Sequence, residues 1–409
     1  MSAAVTGTPA APSPLPASAP PPATSFWHAT ALPSVLSVVM ALAVGAVLIA
    51  VSDDDVRAAG SYFFARPGDM ASAVLSSVVQ AYGALFRGSV IDVGGSGVAG
   101  VLGPLASTML FATPLIAAGL AVAIPFRAGL FNIGAEGQIT VAAIFAAYVG
   151  FALQLPPVVH LGAAVLAGLL GGALWGAIPG VLKATTGAHE VITTIMLNYV
   201  ARFGILFVLG TTTFQREGRA DPISPPILPT ATLPKLLDFG RVNLAFVLAL
   251  VAAAVAWWLI NRSTTGFRLR AVGANPEAAR TAGMSVPRTY VTAMVLAGAF
   301  AGLAGVSQVL GSERVLTTGI SAGLGFDAIT VALLARTNPV GVVAAGVLFG
   351  ALKAGGLTMQ ATTGTSLDIV IVLQALIVLF IAAPALISAV FRLRSTGAGV
   401  GQLSKGWNG

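Results

Sequence analysis

The chain has no cysteine in its 409 residues, which excludes disulfides, thiolate metal sites and a thiol nucleophile. Charge is scarce as well: 9% of residues are Asp, Glu, Lys or Arg, against roughly 25% in a soluble domain. The three histidines, His28, His160 and His189, stand far apart and offer no local metal-ligand spacing. No G-x-x-x-x-G-K-[ST] occurs, so the chain has no P-loop of its own for ATP hydrolysis. The net charge of +7 does not point to nucleic acid, because the Lys and Arg fall in discrete loops and ends. There they report membrane orientation.

What is present is apolar. The composition is 56% hydrophobic and the mean hydropathy is +0.91. Apolar runs near 20 residues recur along the whole length, which predicts an all-α polytopic membrane protein. About ten membrane segments are expected: 33–51, 103–124, 136–154, 159–182, 189–210, 242–260, 289–310, 325–336, 339–357 and 367–389. The segment 325–336 is too short to cross a bilayer and reads as a half-helix. Residues 1–32 are rich in Pro, Ala and Ser, without Lys or Arg, and read as a disordered tail. The first apolar run lacks a basic flank and exceeds the core of a signal peptide, which favours a retained helix over a cleaved signal.

Basic residues set the orientation. Loop 261–288 carries Arg262, Arg268, Arg270, Arg280 and Arg288 against Glu277, and the tail 391–409 carries Arg392, Arg394 and Lys405. Both are expected in the cytoplasm, and counting back places the N-terminus there too. Loops 52–102 and 211–241 then face outward, and the stretch 69–91 reads as an amphipathic helix on the outer surface.

Two parts of the chain echo each other. GALWGAIPGVLKATTGAHEVITTIML from Gly172 resembles GALKAGGLTMQATTGTSLDIVIVL from Gly350, and QITVAAIFA from Gln138 resembles AITVALLAR from Ala328. One ATTG turn falls inside and the other outside, so the parts (about 103–210 and 289–389) read as an inverted-topology repeat. Such repeats place a site near the midplane, often at broken helices. The corresponding breaks here are 126–138 and 312–327. Glycine stripes at Gly168, Gly172, Gly176 and Gly180, at Gly346 and Gly350, and at Gly298 and Gly302 predict close helix packing.

The stretch FRAGLFNIGAEGQ (126–138) sets polar residues where an apolar helix should run. Irregular backbone at membrane depth must be buried in protein or line a wet cavity. The path-lining candidates are Asn132, Glu136, Gln138, Asn198, Phe326 and Asp327. Each has a plainer alternative. Glu136 and Asp327, like Glu190 and Asp368, suit helix N-termini. Asn132 and Gln138 suit freed backbone groups, Asn198 an interhelical bond, and Arg127 a snorkelling anchor. GGSGVAG (94–100) spells G-x-G-x-x-G but follows no strand, and Asn261-Arg-Ser is a sequon on an inside loop. Neither carries function. In loop 261–288, Asn275 and Pro276 start a short helix that Gly283 ends.

FRAGLFNIGAEGQ, HEVITTIMLNY (189–199) and GANPEAARTAGM (273–284) followed by AGAFAGLAG resemble the permease subunits of bacterial ABC importers. The broad group is the ribose and branched-chain amino acid permease family, with the nucleoside-importer branch nearest, and the likeness spans about 65–390. It implies a permease domain over 33–390 in the bacterial cytoplasmic membrane and no covalent chemistry in this chain. It also implies a partner ATPase that binds ATP and Mg, a second homologous permease and a substrate-binding lipoprotein. Arg270, Gly273, Asn275, Pro276, Glu277, Ala278, Ala279, Arg280 and Gly283 would then form the loop that docks on the ATPase. Ribose-type sugars and branched-chain amino acids remain alternative cargoes. An ion-coupled secondary transporter is the rival class.

Overall fold

A computed structural model describes residues 32–383, so the two tails lie outside the described residues. Fourteen α-helices are described: α1 (Leu32–Ser52), α2 (Asp54–Ser61), α3 (Pro67–Ser89), α4 (Gly97–Phe126), α5 (Ala135–Ala152), α6 (Pro157–Thr186), α7 (Glu190–Leu209), α8 (Leu244–Arg262), α9 (Thr264–Ala274), α10 (Pro276–Thr281), α11 (Val286–Val306), α12 (Leu324–Leu334), α13 (Pro339–Thr363) and α14 (Leu367–Ala382). Among the described residues there is no β-strand, only isolated bridges. Seven helices among the described residues are long and apolar enough to cross a membrane, or eight if α1 and α2, bent by 68° at Asp53, form one span.

Local chemistry sets the helix ends. The side chains of Asn243, Ser263, Asn275, Asn338 and Ser366 each accept a hydrogen bond from a main-chain N–H of the first turn, which satisfies an otherwise orphaned donor. Both ATTG turns end their helices in one way. Gly187 and Gly364 have φ of 71° and return their N–H to the carbonyls of Lys183 and Gln360. That left-handed backbone is where a glycine fits without a Cβ penalty.

Helix α4 is the centre. Residues 112–125 are buried throughout, in a core shared with α8, α11, α12 and α13. Packing there is main chain against main chain. A Cβ on Gly172 or Gly298 would overlap the other's carbonyl, joining α6 to α11. On Gly350 it would lie 2.7 Å from the Thr108 carbonyl oxygen, joining α13 to α4. The glycine stripes thus set interhelical distance, as their spacing predicts.

Three expectations need correction. Helix α3 does not lie alone on a surface: Ala81, Ala84, Gly88 and Ser89 are buried, Gly355 of α13 abuts the Leu85 carbonyl, and the Tyr82 hydroxyl donates to the Leu42 carbonyl on α1 at 2.5 Å. Its small residues form a packing face. Loop 261–288 holds two helices, α9 and α10, instead of one. The second break is narrower than 312–327: α11 runs on as a π-turn over Ser307–Ser312, and α12 begins at Leu324.

Candidate functional site

The chain between α4 and α5 turns back on itself. The Pro125 carbonyl accepts from the N–H groups of Ala128 and Leu130, and residues 130–134 climb beside the last turns of α4. The Asn132 amide donates to the Ala121 carbonyl at 3.2 Å and to the Gln138 side-chain oxygen at 3.0 Å. Its own oxygen accepts from the Gly134 N–H at 3.0 Å and from the Gln138 amide at 3.3 Å. Both residues are at most 1% exposed. They tie the loop to α4 and to the start of α5. Asn198 on α7 joins the same lock, accepting from the Gly137 N–H and donating to the Ile133 carbonyl, both at 2.9 Å.

Glu136 crosses to the other break. Its two carboxylate oxygens accept from the N–H groups of Gly323 at 3.0 Å and Gly325 at 2.7 Å. These are orphan donors at the N-terminus of α12, and a carboxylate there meets both the donors and the helix dipole. Hydrogen bonds to a charged group stabilise by about 1.5–3 kcal/mol. So Glu136 caps a helix, but not its own.

The other end of α12 is held from the same loop. Arg127 donates to the Thr337 carbonyl at 2.9 Å. The expected snorkelling anchor is instead a clamp, and loop 127–136 grips the half-helix at both ends.

Asp327 and Lys353 remain uncommitted. Neither has a hydrogen bond or ion pair among the described residues, and both are half-buried. The Lys353 ammonium lies 5.8 Å from the centre of the Phe111 ring. Phe326, beside Asp327, is 53% exposed. Lys353 was missed from sequence, although a lone Lys inside the apolar segment 339–357 was a readable signal. At 1.5 Å per residue, Lys353 lies about 21 Å along α13 from Pro339, Phe111 about 22 Å along α4 from Phe126, and Asp327 about 10 Å along α12 from Leu334. A half-buried charge without an ion pair inside an apolar helix is a candidate for lining a wet path.

The loop residues of 261–288 divide in two. Arg270 donates to the Ile260 carbonyl, Ala279 is buried in a cluster with Val272 and Val286, and a Cβ on Gly273 would overlap the Arg127 carbonyl. These three fix the loop to the bundle. Asn275, Glu277, Ala278, Arg280 and Gly283 are exposed and Pro276 half-exposed, with Glu277 and Arg280 paired at 3.0 Å. Elsewhere, Glu190 pairs with Lys183 at 3.0 Å, and His160 is a buried core residue between Thr230 and the Val149 carbonyl. No cluster of metal-binding side chains occurs among the described residues.

The seven or eight apolar helices among the described residues, long enough to cross a bilayer, mark a multi-pass membrane protein. The chain matches the family described as the branched-chain amino acid transport system / permease component over residues 104–383, and it belongs to that family. It is 41% identical over 325 residues to the guanosine ABC transporter permease protein NupP of Bacillus subtilis, covering 79% of this chain and 91% of NupP. It is 34% identical over 372 residues to the glucose ABC transporter permease protein TsgB13 of Haloferax volcanii, covering 87% of each. The nucleoside ABC transporter permease protein NupB of Lactococcus lactis is 36% identical over 281 residues, 66% of this chain and 76% of NupB. In both bacteria a second, more divergent permease matches as well. No solved structure matches.

Proposed function

We propose that this chain is the permease subunit of an ABC importer that carries nucleosides across the bacterial cytoplasmic membrane. The observation that carries this reading is the 41% identity to NupP over 91% of that protein's length. In this reading the chain performs no covalent chemistry. A partner ATPase binds ATP and Mg, a substrate-binding lipoprotein delivers cargo to the outer loops, and a second, divergent permease completes the path. The paired permeases in two relatives' bacteria support the last point.

Ten membrane segments arranged as an inverted repeat, with both termini in the cytoplasm, fit the contacts. Helix α6 packs on α11 as α13 packs on α4, so each repeat's glycine-rich helix crosses to the other's first helix. The two ATTG turns share one cap geometry. The basic loop 261–288 argues for an inside position. Substrate would pass beside Phe326, Asp327 and Lys353, while Asn132, Gln138 and Asn198 hold the loop and Glu136 the half-helix. Motion would enter at the exposed face of α10 and pass through Gly273 and Arg127 to α12.

The test is uptake of radiolabelled guanosine, adenosine, uridine, ribose, glucose and leucine in cells with the gene deleted or restored. ATP is depleted independently of the proton gradient. Nucleoside uptake that needs the gene and follows ATP is the expected result. Uptake that follows the gradient overturns the ABC reading, and loss of ribose, glucose or leucine uptake alone overturns the substrate.

A further inference from the structure

A cavity of about 400 Å³ lies between α9, the α10–α11 link and the start of α11, within the roughly 300–1,000 Å³ range of ligand sites. Arg268 lines it from α9 and Arg288 from α11, with Thr265, Ser285, Thr289 and Thr292 around them, and none of its lining residues is acidic. Both arginine side chains make no hydrogen bond or ion pair among the described residues. The charges on α9 and α10 beside them are engaged elsewhere: Arg280 pairs with Glu277, and Arg270 donates to the Ile260 carbonyl. Thr289 and Thr292 return their hydroxyl protons to carbonyls of their own helix. The Ser285 hydroxyl caps nothing, although Ser285 is the N-cap of α11, and the Thr265 hydroxyl has no partner either. One cavity therefore gathers two guanidiniums and two free hydroxyl donors, and the like charges repel until an anion joins them.

The level of the cavity is that of a membrane surface. From Ser285 to Thr292 its lining climbs about 10 Å along α11, and the interfacial layer of a bilayer is about 5–8 Å thick on each side. Trp257 and Trp258, near the end of α8, and Phe267, beside Arg268, are exposed. Aromatic rings at a helix end collect at the headgroup level. Helix α9 is held against that end of α8, since a Cβ on Gly266 would collide with the Leu259 and Ile260 carbonyls.

We propose that this cavity binds the phosphodiester headgroup of an anionic phospholipid of the cytoplasmic leaflet. The proposal rests on the inside position of loop 261–288 given above and holds whatever the cargo. The two non-bridging oxygens of a phosphodiester match the planar forks of Arg268 and Arg288, and the hydroxyls of Thr265 and Ser285 supply further donors. Basic pockets between helices on the cytoplasmic side suit such headgroups. A free phosphate has the same oxygens, but it is only a few waters in size, at about 30 Å³ each, and leaves most of the cavity empty. A lipid adds its glycerol to the cavity and its acyl chains to the exposed apolar rings. Once filled, the cavity ties α9 to α11. Gly283 both lines it and belongs to the exposed loop, so the bound lipid sets where the loop stands.

The experiment reconstitutes the complete transporter in nanodiscs of mixed phosphatidylglycerol and phosphatidylcholine. A phosphatidylglycerol with a photoreactive group beside its headgroup is cross-linked, and the adducts are mapped by mass spectrometry. Adducts within residues 262–292 are expected, at least about fivefold fewer in Arg268→Gln and in Arg288→Gln. Arg262→Gln removes the same charge outside the cavity and should leave the yield unchanged. Photoreactive phosphatidylcholine should label this segment weakly, and excess inorganic phosphate should not displace the phosphatidylglycerol. Wild-type adducts confined to other segments, or an equal loss in Arg262→Gln, overturn the cavity. Displacement by inorganic phosphate assigns the site to a free anion and overturns the lipid. Adducts that form only after the ATPase is stripped away assign it to an acidic side chain of that partner and overturn the lipid too. The wild-type map decides alone if the variants fail to assemble. Orientation is read separately from Arg262→Cys, whose thiol is the only one in this chain. An impermeant maleimide should label it in inverted vesicles and not in intact cells. The reverse overturns the leaflet, whereas absent nucleoside uptake overturns the cargo and leaves the lipid site standing.

Discussion

The carboxylate of Glu136 accepts from the main-chain N–H of Gly325 at 2.7 Å, across 189 residues of sequence. One side chain at the start of α5 thereby completes the N-terminus of α12 and ties the two broken elements together. A Cβ on Gly325 would collide with the Glu136 backbone, so the contact also fixes which residue can stand there.

Glu136→Gln is expected to keep a partial cap and lose its charge. One contact is lost, because the amide NH2 then faces a main-chain N–H, and the other loses its charge assistance, at about 1–3 kcal/mol. Uptake should fall at least about tenfold, with apparent affinity changing less than the maximal rate. A kinetic series on membrane vesicles or cells checks this; a change confined to affinity would place Glu136 against the substrate instead.

Gly298→Ala should wedge α6 from α11, because the added methyl meets the Gly172 carbonyl. Overpacking of this kind costs about 1–3 kcal/mol. Gly204→Ala is the matched control: nothing lies near its Cβ position, and removing a mid-helix glycine gains roughly 0.5–1 kcal/mol. Thermal unfolding of the purified transporter should move in opposite directions for the two.

The loop residues predict a split. Ala278→Arg, on the exposed face of α10, should leave thermal stability unchanged and abolish co-purification of the ATPase subunit. Gly273→Ala should lower thermal stability, since its methyl enters the Arg127 carbonyl. Retained ATPase binding in the Ala278→Arg transporter would move the docking face elsewhere.

Arg127→Met removes the grip on Thr337 but keeps the apolar stem. The bundle should remain assembled while transport drops and ATPase activity becomes uncoupled from cargo. Comparing ATP hydrolysed with nucleoside taken up measures this directly.

Much of the fold was legible in the sequence because membrane depth makes polar residues conspicuous. Asn132, Glu136 and Gln138 stood out against apolar runs, and Asn275, Pro276 and Gly283 spelled a helix start and stop. What could not be read were the non-local partners. That Glu136 would cap α12 rather than α5 depends on a residue 187 positions away. Arg127 looked like an anchor because Thr337 was invisible beside it. Helix α3 looked amphipathic because its small residues wait for Gly355, and a glycine announces a close approach without naming the neighbour.

The latch between the two breaks is made almost wholly of main-chain groups on the α12 side. Amides of Gly323 and Gly325 present the same shape whatever side chains follow them. The positions that follow on the half-helix, Phe326 and Asp327 among them, are therefore free to diverge without loosening the latch. A frame built this way separates the inheritance of the machine from the inheritance of its cargo, which is consistent with a guanosine permease and a glucose permease both aligning along most of one chain.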